Sequence, residues 1–298
     1  MEVKEASQQL HHMLNDFSLM SLVRNDSIDR VQVIFGLISR WPEIVLARDE
    51  NGLLPIHVAC QEGAPLVVVQ RLLQARPETT MSPTNDRRCM LPLHLACRFY
   101  NGRNKEKSRI IRYLCKSNPT SLQLTCSNGE TPLHLVCRNY FCTAKDVRFL
   151  SRQFPKALTI QSRKDGKTPL HIACEKHYME RKQGTHVPHP SDDNPSSSSS
   201  EIVHYLVQLQ PNALRMANHR GELPLHSCVK GFQPTPLVHF LLHQYPYAAT
   251  HQDRHGRTPL HLSTLQRMPS HSTTQALLQA FPDAVLMTDD QGNRPNLH

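Results

Sequence analysis

The sequence predicts an all-α fold, a solenoid of about six full helical repeats with N-terminal cap helices and a C-terminal half repeat. Two series of residues recur in phase along the chain of 298 residues. One series contains a Pro-apolar-His motif with a glycine shortly before it, and the other is an apolar helix face that ends at a proline. Because one such unit is too small to bury its apolar face alone, neighbouring units are expected to stack into a continuous core.

The first series marks the start of a helix in each repeat. A tetrapeptide ending in Pro-apolar-His occurs six times, with its histidines 37, 40, 37, 55 and 35 residues apart. Proline suits the first turn of a helix, since its missing N–H would have no partner there. A glycine three residues before most of these prolines indicates a tight turn with positive φ. The histidines, which we interpret as structural residues of the repeat, are His57, His94, His134, His171, His226 and His261.

The second series marks the end of the following helix. Seven prolines each stand five residues after a leucine, which itself stands three residues after a β-branched residue. A spacing of three places both side chains on one helix face, which must be buried. Proline cannot continue the hydrogen-bond ladder, so each is expected to stop a helix. These prolines are Pro42, Pro77, Pro119, Pro155, Pro211, Pro246 and Pro282.

The combined pattern resembles the ankyrin repeat, whose signature Thr-Pro-Leu-His-x-Ala belongs to a unit of about 33 residues with a turn and two helices. Residues 168–173 match this signature in full, and residues 131–134 and 258–261 match its first four positions. The resemblance covers roughly residues 30–298. Leucine replaces the threonine in three copies, which removes a hydroxyl that holds the histidine in the family. Cys89 replaces the turn glycine of the second repeat, where we expect an irregular turn.

The two series also set the expected boundaries. We expect an N-terminal cap over residues 1–46, with one helix near residues 5–22 and a second that ends at Trp41. A Pro-, Asp- and Ser-rich insertion at residues 177–200 lengthens the fourth repeat and is expected to be a disordered loop between its two helices. A half repeat is expected at residues 287–298. The six ankyrin-like repeats, together residues 47–286, are expected at 47–81, 82–123, 124–160, 161–215, 216–250 and 251–286.

Nineteen histidines and nine cysteines raise the question of a metal or catalytic site. The motif histidine and the cysteine three residues after it recur about once per repeat, and packed helices lie about 8–10 Å apart, whereas zinc ligands lie about 2 Å from one ion. A residue that recurs in every repeat is explained by the fold. The sequence contains no phosphate-binding glycine loop and no G-x-S-x-G, H-E-x-x-H or C-x-x-C motif. We therefore predict a protein that is not an enzyme, with no metal, no cofactor and no small-molecule substrate.

Positive charge is concentrated in the middle of the chain. The net charge is +9, and residues 87–182 contain 20 basic against 6 acidic residues, a net charge of +14. The resemblance implies that partners bind at the turn tips and at the exposed side of the first helices, on a concave face. Lys107 and other basic residues of the second helix of repeat two extend this surface. Transferred by position to repeats two to four, the predicted partner-binding residues are Arg87, Arg88, Arg98, Arg138, Lys164, Lys167 and Lys176.

Three interpretations of this basic surface stay open. The charges are merely solvated, or they bind an acidic or phosphorylated protein, which makes the chain a scaffold or adaptor, or they bind nucleic acid without sequence preference. Aromatic residues are 6% of the chain, and nucleic-acid readers usually add aromatic stacking platforms, which favours a protein partner. With no apolar stretch near the roughly 20 residues of a membrane helix and no secretory signal, we expect no membrane association. We expect free thiols and a cytoplasmic or nuclear location.

Overall fold

A computed structural model describes residues 3–17, 26–99, 105–139, 143–175, 195–231, 233–266 and 270–296. Over these ranges the chain contains fourteen α-helices and no strand, which confirms the predicted all-α fold. None of these helices combines the length and the apolar character that crossing a lipid bilayer demands. The chain divides into two compact units, of which the first is Met1–Cys142 with Arg152–Phe154 and the second is Thr143–Ser151 with Pro155–His298.

Paired helices in two layers make up the first unit. They are α1 (Val3–Asn15), α2 (Asp26–Arg40), α3 (Pro55–Glu62), α4 (Leu66–Ala75), α5 (Pro92–Arg98), α6 (Lys105–Ser117) and α7 (Pro132–Arg138). Helices α1, α3, α5 and α7 pack against one another in sequence, and so do α2, α4 and α6. Each repeat therefore covers the apolar side of the next, as in a helical repeat solenoid.

The second unit repeats this arrangement. Its helices are α8 (Ala144–Gln153), α9 (Pro169–Glu175), α10 (Pro195–Leu209), α11 (Pro224–Lys230), α12 (Thr235–Gln244), α13 (Pro259–Thr264) and α14 (His271–Ala280). Helices α9, α11 and α13 pack in sequence, and each also packs against the helix that follows it in the chain. Helices α12 and α14 pack against each other in the second layer. The second unit is thus also a stack of helix pairs.

Prolines set both ends of the helix pair, as the two series of residues in the sequence predicted. All six first helices of the repeats begin at the motif proline. The second helices end two residues before the stop proline, which begins a one-turn 3-10 helix, such as Pro77–Met81 after α4. The residue before the stop proline is extended, with φ −145° at Arg76, because proline excludes its predecessor from the α region.

The predicted apolar face of the second helices lies in the core. The seven leucines before the stop prolines are 0–6% exposed. Six of the β-branched residues three positions earlier are fully buried, and the seventh, Thr274, is partly exposed. The repeat cysteines are also fully buried: Cys60, Cys97, Cys137, Cys174 and Cys228. A small residue fits there because extra volume in a packed interior forces side chains or backbone to shift.

A left-handed residue precedes each first helix. The six predicted turn glycines have φ between +70° and +78°. In the second repeat Cys89 takes the same place with φ +47°. The longer turn there closes through Thr84, whose N–H donates to the Met90 carbonyl at 2.9 Å and whose hydroxyl oxygen accepts from the Met90 N–H at 2.9 Å. This turn is irregular, as expected.

Two predicted boundaries differ from the structure. Helix α1 ends at Asn15 rather than near residue 22, and Asp16, in the turn that follows, pairs with Arg30 of α2 at 3.2 Å. Helix α10 begins at Pro195, so the last residues of the predicted insertion are helical. Proline is favoured at this first helical position, where no N–H is needed. Residues 176–194 lie outside the described residues, and the disordered loop stays a prediction for them.

The repeat histidines connect one repeat to the next. In all six copies the backbone N–H three residues earlier donates to the histidine Nδ1 at 3.0–3.2 Å. A neutral ring whose Nδ1 accepts carries its proton on Nε2. The Nε2 of His57, His94, His171 and His261 donates to a backbone carbonyl of the following repeat at 2.8–3.2 Å. The neutral ring therefore links the start of one helix to the turn of the neighbouring repeat.

Threonine and leucine support this histidine to different extents. The hydroxyls of Thr131, Thr168 and Thr258 add a second hydrogen bond to Nδ1 at 2.7–2.9 Å. In the leucine copies the hydroxyl is absent, as noted in the sequence, but the backbone N–H still donates to Nδ1. The leucine copies therefore lose one hydrogen bond and keep the anchor.

The turn glycines give a graded test of the fold. Gly166→Ala should destabilise most, because φ is +70° and the new Cβ would lie 2.6 Å from the His219 backbone nitrogen. Gly292→Ala has φ +78° but open space, so it should cost only the left-handed strain, about 1–2 kcal/mol. Gly36→Ala, in helix α2 with open space, should be neutral or stabilise by up to about 1 kcal/mol. Urea denaturation of the three variants measures this order, and equal losses at Gly166 and Gly292 would contradict it.

Acid should destabilise the stack through its histidines. Burial lowers the pKa of His57, His94, His171 and His226 to about 4, against about 6.5 in an unfolded chain. The unfolded state therefore binds more protons between about pH 6.5 and 4, and the free energy of unfolding falls as pH falls through this window. We expect a loss of about 1.4 kcal/mol per pH unit for each histidine, measured by urea denaturation across the window.

The matched variants for this pH dependence are His94→Gln and His219→Gln. His94 is buried and His219 is exposed at a turn tip. The first variant should lower the slope of stability against pH by about 1.4 kcal/mol per pH unit, and the second should leave it unchanged. A slope that responds equally to both changes would show that the buried rings are not its source.

Candidate binding surface

Arg98 has the most unusual surroundings of the predicted surface residues. It ends α5, is partly exposed, and makes no side-chain hydrogen bond or ion pair with any described residue. Its Cζ lies 5.5 Å from the ring centroid of Phe99, which is 38% exposed. Burial lowers the pKa of Arg98, the charges of Arg88 and Arg138 lower it further, and Glu130 opposes them. We call Arg88, Arg98 and Arg138, all in the first unit, the arginine cluster.

A residue change in the second repeat explains why Arg98 has no acidic partner. In three other repeats, the residue before the motif threonine or leucine forms an ion pair with the residue eight positions later. These pairs are Glu130 with Arg138, Lys167 with Glu175, and Glu222 with Lys230. In the second repeat the position of the acid is taken by Met90, which is 1% exposed. The guanidinium of Arg98 is therefore left without the partner that the other repeats supply.

Arg87 and Arg88 lie at the exposed tip of the turn between α4 and α5. The carboxylate of Asp86 accepts from the Arg88 backbone N–H at 3.1 Å. The Arg88 carbonyl accepts from the Ser127 N–H of the next turn at 2.9 Å. These bonds fix the backbone of the tip, so the position of the Arg88 side chain relative to the stack is set by the fold.

The remaining predicted residues lie in other surroundings. Lys164 is exposed at a turn tip of the second unit. Lys167, also in the second unit, has a side chain only 14% exposed and pairs with Glu175 and with Asp165. Lys176 lies outside the described residues. Within the first unit the structure brings the arginine cluster together, and the rest of the predicted surface stays a prediction.

Lys107 was counted in the basic surface, and this assignment is wrong. Its side chain is 1% exposed. From α6, its Nζ donates to the Gln61 carbonyl at 2.7 Å and to the Phe99 carbonyl, at the C-terminal ends of α3 and α5. Burial lowers the pKa of Lys107 to about 8, although the nearby Glu62 opposes this shift. Lys107 therefore caps two first helices from inside the first unit.

Charge counting also missed basic turn tips in the second unit. In three consecutive turns, exposed basic residues occupy positions one to three residues before the turn glycine. We call these residues the tip row: Arg163, Lys164, His219, Arg220, Arg254 and His255. Four of them lie beyond the basic segment 87–182, where acidic residues offset them in a net sum. Their fixed offset from Gly221 and Gly256 is the signal that could have located them.

The part of the chain that the structure describes offers little for metal or small-molecule chemistry. It holds no group of three or more His, Cys, Asp or Glu side chains placed to bind a metal ion. A pocket of about 200 Å³ in the second unit presents hydroxyl, amide and apolar groups, and its described lining has no carboxylate, imidazole, thiol or amine. The lining residues are Val229, Gln233, Pro234, Thr235, Ser263, Gln266, Ser270 and Thr273.

The cysteines in the described ranges are free thiols, as predicted. All of these except Cys89 are buried. Burial raises the pKa of the Cys60 and Cys115 thiols to about 12. The thiolate is the nucleophilic form, so these two side chains stay protonated and unreactive near neutral pH. The buried cysteines act as small packing residues.

A left-handed turn, a first helix that opens at Pro-Leu-His or a variant of it, and a second helix that ends at a proline together form the repeating unit of this chain. Residues 93–180 match the family model for ankyrin repeats, in three copies, so the chain contains ankyrin repeats. The same local geometry recurs at α11 and α13, beyond the matched residues. A comparison with curated proteins finds no match. Ankyrin repeats generally mediate protein–protein interactions.

The capping role of Lys107 predicts its response to substitution. Lys107→Met removes a charged donor from two helix-terminal carbonyls and should lower the free energy of unfolding by about 2 kcal/mol. Lys116→Met, an exposed change in the last turn of the same helix, should alter stability by less than about 0.5 kcal/mol. Urea denaturation of both variants checks this, and equal stability of the two would exclude the capping role.

Proposed function

We propose that the chain is a non-catalytic scaffold or adaptor that binds an acidic or phosphorylated protein segment. The binding residues are the basic side chains on the concave face and turn tips of repeats two to four. The arginine cluster carries the proposal, because Arg98 is a partly buried cation near Arg88 and Arg138 that forms no ion pair with any described residue, Glu130 being paired with Arg138. A charge held in that environment is stabilised when an anion from outside binds to it.

The chemistry of the cluster suits carboxylate and phosphate groups. A guanidinium presents a planar fork of N–H donors that matches either anion in a bidentate geometry. Glu130, the acid whose charge acts on Arg98, is 4% exposed and already pairs with Arg138. The N–H donors of the Arg98 guanidinium do not pair with Glu130. An incoming anion could therefore bind them, and the positive charge of Arg88 would add to the attraction.

Phe99 supports a protein as the partner. Its ring is 38% exposed and stacks with Arg98. Arginine and aromatic side chains are enriched at the centres of protein interfaces, where they supply most of the binding energy. We place this interaction in the cytoplasm or nucleus, where thiols such as those described in this chain stay reduced.

Charge reversal at Arg98 tests the proposal. Arg98→Glu should weaken binding of an acidic peptide at least tenfold, because it removes a donor from the anion and adds a like charge. Fluorescence anisotropy of a labelled peptide of alternating glutamate and serine, in plain and phosphoserine forms, measures the affinity of the full chain. The phosphorylated form should bind more tightly, since a phosphate carries more charge and more acceptor oxygens.

Lys116→Glu is the matched control. Lys116 is exposed in the last turn of α6, in the same unit as Arg98 but outside the arginine cluster. Its replacement by glutamate changes the net charge by the same amount as Arg98→Glu. It should leave the affinity within about twofold, and circular dichroism should show equal helix content in both variants. Equal losses in the two variants, or no saturable binding of either peptide by the unmodified chain, would refute the arginine cluster as the binding site.

A further inference from the structure

We propose that the tip row of the second unit binds the phosphate backbone of nucleic acid without sequence preference. This surface is separate in sequence from the arginine cluster and shares with the predicted partner-binding residues only Lys164, at the turn tip of repeat four. Its six residues come from three consecutive turns and are all exposed. Four of them, Arg163, Lys164, Arg220 and Arg254, carry a permanent positive charge, and His219 and His255 add charge when protonated.

Backbone hydrogen bonds hold the three turns in a row. The His219 N–H donates to the Asp165 carbonyl at 3.0 Å, and the Arg254 N–H donates to the Arg220 carbonyl at 2.8 Å. A buried threonine or leucine follows each turn, and its backbone N–H donates to the motif histidine of the helix that begins there. The basic side chains therefore project from a fixed backbone, and binding needs little ordering of the main chain.

Two acidic residues within the turns of the row are already engaged. Asp165 bonds to Ser162 and pairs with Lys167 at 3.6 Å. Asp253 has a fully buried carboxylate that accepts from the Arg257 guanidinium at 2.8 and 3.0 Å. Both carboxylates thus serve their own turns. Within the described ranges the side chains of the tip row form no ion pair, which leaves their charges for an external anion.

The row ends at the following turn, where the sign of the charge changes. The Asp290 N–H donates to the His255 carbonyl at 3.0 Å, so this turn continues the backbone ladder. Its tip carries Asp289 and Asp290 in place of basic residues. An anionic ligand that follows the row is therefore repelled beyond the third basic turn, which limits the contact to three repeats.

The absence of an apolar anchor distinguishes the tip row from the arginine cluster. Phe99, beside Arg98, is one of the large hydrophobic residues exposed in the described chain. The three turns of the row contain no such residue. The described pocket of the second unit is lined by none of the tip row residues. Protein interfaces depend on buried aromatic and aliphatic anchors, whereas sequence-independent nucleic-acid binding depends on contacts between basic side chains and phosphates. The exposed, purely charged row fits the second mode.

Salt dependence measures the number of phosphate contacts. We would titrate the full chain into labelled DNA and RNA duplexes of mixed sequence, about 20 base pairs long, at several salt concentrations and follow anisotropy. Four permanent cations predict a slope of log Kd against log salt near 4. Arg220→Ala/Arg254→Ala should reduce this slope by about 2 and weaken binding at least tenfold at low salt. Saturable binding of either duplex with these changes supports the proposal.

Lys145→Ala/Lys156→Ala is the matched control. Both lysines are exposed in the second unit, outside the turn tips, and the double change removes the same charge as Arg220→Ala/Arg254→Ala. It should preserve the slope and the affinity. Arg98→Glu should also preserve duplex binding. The scaffold proposal can therefore fail in the peptide assay without affecting the duplex assay, and the nucleic-acid proposal can fail in the duplex assay alone. Three results would overturn the nucleic-acid assignment: no saturable binding of either duplex, an unchanged slope in Arg220→Ala/Arg254→Ala, or tighter binding of poly-glutamate of equal total charge. The last would identify an acidic protein as the ligand instead.

Discussion

The structure depends on a neutral histidine held between two repeats. Its Nδ1 accepts from the backbone N–H at the start of its own helix, and in four copies Nε2 donates to a carbonyl of the following repeat. A short helix of six to eight residues is not stable alone in water. The histidine ties its first turn to the neighbour, and the buried leucines and cysteines then cover the apolar faces between repeats.

Much of this order could be predicted from the sequence, because the repeat signals are local. The motif prolines start a helix and the stop prolines end one, and Gly221 or Gly256 adopts positive φ because the turn requires it. The N-terminal helix was less predictable, since α1 ends at Asn15 and the next residue, Asp16, pairs with Arg30, which is distant in sequence. The start of α10 was missed because a serine-rich segment has no helical periodicity. Local rules thus predicted the repeats, and contacts distant in sequence decided the exceptions.

The binding surface was harder to predict, because a net charge says nothing about where each charge lies. The basic segment 87–182 includes Lys107, which is buried as a helix cap, and Lys167, whose charge is compensated by Glu175. Arg220 and Arg254 lie outside that segment and are exposed in a row. The arginine cluster contains predicted residues, yet the feature that sets it apart is Met90, an apolar residue that no charge count would weigh. Position within the repeat is more informative than composition.

Repetition therefore separates what the fold requires from what it leaves free. Positions that carry the same residue type in all or nearly all repeats, such as the motif histidine and the repeat cysteine, are explained by packing. Positions where one repeat departs from the others need another explanation. Arg98 lacks the acid that Arg138 and Lys230 have, and the fold does not benefit from a partly buried cation that forms no ion pair with any residue the structure describes. The tips of the second unit likewise carry basic residues that their turns do not use. Because stacking gives these departures fixed positions in neighbouring repeats, a few substitutions on a repetitive fold are sufficient to build two surfaces with different chemistry.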